Sequence, residues 1–170
     1  DQLRDSAVFV LTQRKLDERL QAHRDKESET IIRQHTRKAV IGAMAAVAPG
    51  TDVLIQGYLG VSLVRSLCEL HEKPARQIDI DRYLALVGKQ VGKTFPLLLA
   101  VTGNALKAFP GLGTLGGGVL HAIAYGLIFD SLGHAVHKTL ESRGDLRPLP
   151  TARHFEDSIS KNLGSRSKAL

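Results

Sequence analysis

Two Pro-Gly steps, Pro49-Gly50 and Pro110-Gly111, interrupt the two most apolar stretches of this chain. Proline cannot continue a helix without losing an N–H bond, and glycine readily takes the left-handed conformation that ends one. Ala39–Ala48 is wholly apolar on one side of the first step, and Val53, Leu54, Leu59, Val61, Leu63, Val64 and Leu67 recur at helical spacing on the other. Thr51 or Asp52 offers a side-chain oxygen to cap the helix that follows. No segment keeps the apolar–polar alternation of a half-buried strand. The pattern therefore predicts an all-α protein, a helical bundle built from two apolar hairpins with Pro-Gly turns.

The rest of the chain adds flanking helices. Phe9, Leu16 and Leu20 lie at spacings of seven and four among charged neighbours, which predicts an amphipathic helix over 4–24 with one buried stripe. The polar run His23–Thr30 reads as a break, with a new helix from Glu29. After the short polar connection Lys73–Gln77, a long helix should start at Asp79 or Asp81 and be bent or interrupted at Pro96. A last long helix is expected from Val119 to about Glu141, then a turn-rich linker over 143–150 and a short helix over 151–163. The expected organisation is an N-terminal helix and linker (1–28), a hairpin core (29–142), and a linker, short helix and tail (143–170). The chain starts at Asp1 and its one methionine is the internal Met44, so it is expected to be a piece of a longer protein.

Charge is segregated along the sequence. The net charge of +6 divides into +2 over 1–38, −2 over 39–72, +4 over 73–107, −1 over 108–142 and +3 over 143–170. Basic segments thus flank the apolar ones, as suits contact with phosphate groups. Nucleic acid is the weaker partner, because there is no tryptophan and aromatics make up 5% of the chain, leaving no stacking platform. The single cysteine, Cys68, excludes an internal disulfide and fits a reducing, cytoplasmic setting. The uncharged run Ala108–Phe129 is 22 residues long, nominally enough to span a bilayer. Pro110 and six glycines shorten its unbroken helical part, so it suits a core or re-entrant hairpin better than a simple span.

The turn sequences carry a family likeness. Ala45-Ala-Val-Ala-Pro-Gly-Thr-Asp-Val-Leu54, followed some sixty residues later by Phe109-Pro-Gly-Leu-Gly-Thr-Leu-Gly-Gly-Gly118, resembles domain of unknown function 697 over roughly residues 35–142. That helical domain occurs C-terminal to Era-like or HSR1-like bacterial GTPase domains. The resemblance implies a GTPase domain upstream in the same chain and association with the bacterial inner membrane. It implies no activity. The two hairpins also match each other at an offset of 61 residues, which places Gly42 on Gly103.

Candidate chemistry is sparse. Gly88-Lys-Gln-Val-Gly-Lys-Thr94 has three residues between its glycines where a P-loop needs four, and Gly111-Leu-Gly-Thr-Leu-Gly116 matches a dinucleotide fingerprint without a preceding strand. Arg82, Lys89 and Lys93 instead define a basic helix face. Arg143-Gly144-Asp145 reads as an ordinary exposed turn. Asp130, His134 and His137 share a helix face, and the favoured reading pairs Asp130 with His134 rather than gathering a metal with His121 or His71. Cys68 and His71 read as a packed thiol and a surface imidazole.

These readings favour a non-catalytic module with no cofactor. It is expected to dock a GTPase to the inner face of the membrane through Pro49, Gly50, Thr51, Asp52, Pro110, Gly111, Leu112 and Gly113, with Arg82, Lys89 and Lys93 on anionic head groups. Both turns should lie at one end of the molecule. The alternative is a soluble bundle for self-association, such as a homo-oligomer, or for binding a protein partner. An enzyme is the weakest option, because no set of groups fills the roles that a catalytic site requires.

Overall fold

The computed structural model describes residues 2–45, 51–107 and 116–167. These form five helices: α1 (Gln2–Ala45), α2 (Thr51–Leu70), α3 (Gln77–Lys107), α4 (Gly116–Arg143) and α5 (Pro148–Ser167). No strand occurs among the described residues. Cross-helix contacts fix their directions. Ser28 meets His71 and His35 meets Ser62, so α1 and α2 are antiparallel. Glu29 meets His134, and Gly126 lies against Val40, so α1 and α4 are antiparallel too. The Tyr83 hydroxyl donates to the Leu132 carbonyl at 3.2 Å while Phe95 lies against His121 and Tyr125, which sets α3 antiparallel to α4.

α4 packs against all four other helices. That position explains why its sequence is apolar on every side rather than along one stripe. Ile32, Leu67, Tyr83, Leu98, Phe129 and Phe155 bring all five helices into one core. The described apolar parts of both expected hairpins, from Ala39 to Leu67 and from Leu98 to Phe129, therefore share a single interior.

Several expectations need correcting. The polar run His23–Thr30 is not a break, since α1 continues through it. It contains no glycine or proline, and some of its polar side chains bond across to neighbouring segments: Ser28 is buried beside His71, and Glu29 bonds His134. Residue 28, the expected boundary, lies inside α1. Nor is the Phe9–Leu16–Leu20 stripe buried, because these residues are 69%, 56% and 45% exposed. Among the described residues, cross-helix bonding of α1 reaches as far as Gln21, which bonds Glu141 near the end of α4. Residues 6–20, all exposed, form an arm that no described helix covers. Pro96 does not interrupt α3. Phe95 on one side packs against two rings of α4, and Leu98 on the other is fully buried, so tertiary contact holds the helix across the missing N–H. α4 starts three residues earlier than expected and α5 runs longer at both ends.

The turn residues Pro49, Gly50 and Pro110–Gly113 lie outside the described residues. Thr51 and Asp52 open α2, but their side chains are not among those described. The helix ends that flank both turns share one end of the bundle, since α1 and α3 finish there and α2 and α4 begin there.

Candidate functional site

Charged residues are sorted along the bundle axis into bands. Val40 opposite Gly126 and Phe95 opposite Tyr125 give a common level on α1, α4 and α3. Between that level and the end where α1 and α3 finish, the described segments 39–45, 51–57, 96–107 and 116–124 contain one acid, Asp52, and one base, Lys107. Ile41, Met44, Tyr58 and Leu97 are 55%, 61%, 75% and 55% exposed around this end. They are large apolar groups with no described neighbour covering them.

Immediately behind lies a basic band. Arg33, Arg37 and Lys38 on α1, Arg65 on α2, Lys89 and Lys93 on α3 and Lys161 on α5 are all exposed. Asn162 bonds Ser131 at 3.0 Å, which puts the adjacent Lys161 at the same level as the others. Among these helix segments the one acid is Asp130, half-buried on α4. The other described acidic residues, Asp52 apart, lie farther from the apolar end. Of the sequence-predicted basic face, Lys89 and Lys93 belong to the band. Arg82 lies farther back, beside an open groove of 530 Å³ between α3 and the start of α5, with Ala85, Leu86, Lys89, Pro148 and Leu149 in its wall.

The segment Gly88–Thr94 is inside α3, so it forms no phosphate-binding loop. Asp130 and His134 do pair, at 3.6 Å, and His134 Nδ1 donates to the Asp130 carbonyl at 2.8 Å. His134 Nε2 is 2.8 Å from Glu29 of α1. Burial lowers the His134 pKa, but the Asp130 carbonyl, the Asp130 carboxylate and Glu29 together raise it above its ordinary value. His137, expected on that same face, turns elsewhere: its Nδ1 is 3.1 Å from His71 Nε2, and its Nε2 is 3.6 Å from both Asp25 and Glu141. His121 lies apart, edge-on to Phe95.

His71 is not a surface imidazole; it is 4% exposed because α1 covers it, with Ser28 Oγ 3.4 Å from its ring. Burial lowers its pKa, helped by neighbouring His137 and Arg24. Cys68 is a packed thiol, as expected, pushed up to about 11 chiefly by burial. Sequence reasoning missed the α1 partners Asp25, Ser28 and Glu29. Their signal is their spacing, one turn apart from 25 to 28 or 29, in a run whose polarity is that of a loop.

Comparison with protein families, curated proteins and solved structures finds no match to this chain in any of the three.

Proposed function

We propose that this chain is a non-catalytic docking module that seats its apolar end on an anionic membrane. The observation that carries the reading is the axial order of the bands, with exposed Ile41, Met44, Tyr58 and Leu97 ahead of exposed Lys and Arg on four helices. Apolar side chains gain roughly 25 cal/mol for each Å² removed from water. Basic residues held at the depth of lipid phosphates add about 1 kcal/mol each. The resemblance to domain of unknown function 697 supplies the cargo, a GTPase domain in the same chain, and the cytoplasmic face of a bacterial inner membrane as the target. The turns at Pro49–Asp52 and Pro110–Gly113 would lead the insertion.

α4 is not read as a bilayer span. Its Gly118–Arg143 part is long enough and contains an 18-residue window with a mean hydropathy of 1.3, yet 56% of that window is buried among the other helices. The same burial favours the second reading, a soluble bundle that binds a protein partner or a second copy of itself. Flotation with neutral vesicles and with vesicles containing phosphatidylglycerol separates the two. Docking predicts binding to the anionic vesicles that weakens with salt and is lost in a Lys89→Glu, Lys93→Glu double variant whose helix content is unchanged. No flotation with either vesicle would overturn docking and leave the soluble bundle.

A further inference from the structure

A second site lies toward the opposite end of the bundle, where α1 parts from α4. Asp25 of α1 and His137 and Glu141 of α4 present donor atoms that all lie within 4.8 Å of one another. His137 Nε2 is 3.6 Å from Asp25 Oδ1 and 3.6 Å from Glu141 Oε2. That separation is too long for a hydrogen bond to either carboxylate. It is close to the spacing of about 3.4 Å between donors that each sit roughly 2.0–2.1 Å from a tetrahedral ion. The neighbouring cluster makes the contrast, since His134 approaches Glu29 to 2.8 Å and forms an ordinary charge-assisted hydrogen bond.

Each donor also has an outer partner. The Gln21 side-chain nitrogen donates to both carboxylates, at 2.9 Å to Asp25 Oδ1, the oxygen that faces His137, and closely to Glu141 Oε1, the oxygen turned away from it. His137 Nδ1 meets His71 Nε2 at 3.1 Å, and Ser28 Oγ is 3.4 Å from that same His71 nitrogen. Outer partners of this kind orient metal ligands and fix the imidazole tautomer. If the Nδ1 proton of His137 lies toward His71, Nε2 turns a lone pair to the two carboxylates, and three electron-rich atoms face one point. His137 is 13% exposed, whereas Asp25 and Glu141 are 50% and 33% exposed, so a cation could enter from solvent and keep a water ligand.

We infer that Asp25, His137 and Glu141 form a binding site for a first-row divalent cation such as Zn²⁺, which staples α1 to α4. An imidazole nitrogen with two carboxylates suits such ions, whereas Mg²⁺ and Ca²⁺ take oxygen donors throughout. The role is structural. The staple closes the α1–α4 contact one turn inside Gln21, the outermost described contact of α1.

The test uses the full 170-residue chain without a histidine tag. Co²⁺ is titrated by visible absorption, and Zn²⁺ is then added as competitor and as additive in thermal unfolding. The expected result is saturation at one equivalent, displacement by Zn²⁺ and a Zn²⁺-dependent rise in Tm. Asp25→Asn and His137→Gln should each weaken binding by at least roughly tenfold, and His71→Phe should weaken it by about ten- to a hundredfold as loss of an orienting partner. Glu29→Gln should bind as the parent does. Asp25 is half-exposed, so Asp25→Asn decides the question if His137→Gln fails to fold. Absence of saturable binding, or binding unchanged in Asp25→Asn, would overturn the site. Neither outcome bears on vesicle flotation, so the two proposals stand or fall separately.

Discussion

Gly133 sets how closely the two longest-contacting helices approach. A Cβ there would fall 2.6 Å from Ile32 Cγ1 and 3.0 Å from Cγ2, and Ile32 is only 1% exposed. Those atoms belong to the stiff, branched base of the side chain, so relief requires α1 to move. Gly133→Ala is expected to lower stability by about 1–3 kcal/mol, the usual range for overpacking, despite alanine's better helix propensity. Urea unfolding would show it; an unchanged midpoint would mean that α1 shifts freely. At His134 both ring nitrogens face acceptors, which favours the imidazolium, and its folded pKa is raised. The resulting stabilisation is full below the ordinary histidine value of about 6.5 and is lost as pH rises through the raised folded value. His134→Ala should therefore cost more Tm at about pH 5.5 than at about pH 8.5, and an equal cost at both would contradict the imidazolium pairing.

Among the elements, α1 departs furthest from its sequence pattern. At 44 residues it is about 66 Å long, yet the outermost described contact with another helix is at Gln21. Amide hydrogen exchange should thus be fast over residues 6–20 and slow over 28–40, because a helix without tertiary packing is marginal in water. Comparable protection in both stretches would show that the arm is covered in solution. The all-helical class and four of the five helix positions were legible in periodicity and in the Pro and Gly stops. The continuity of α1 was not, because polar residues that bond across a helix interface look like loop residues until the partner helix is known. His71 misled for the same reason: its neighbours on α2 say nothing of the α1 segment that covers it. Of the predicted docking residues, only Arg82, Lys89 and Lys93 have described side chains, and the level that Lys89 and Lys93 share with Arg37 and Lys38 emerges only once α4 aligns α1 with α3.

Over the whole molecule, polarity changes along one axis rather than from inside to outside alone. The apolar end, the basic band and the mixed-charge remainder follow in that order, while the uncovered arm leaves at the far end. This gives the protein two unlike ends joined by a single continuous α1. A helix acts as a phased spacer for as long as its hydrogen bonds hold. In the helical state residue 6 stands off from the apolar end by a set distance, and inserting one residue into the arm would advance it by about 1.5 Å while turning it by about 100°. Four inserted residues nearly restore the original bearing, and two nearly reverse it, so the arm encodes orientation as well as reach.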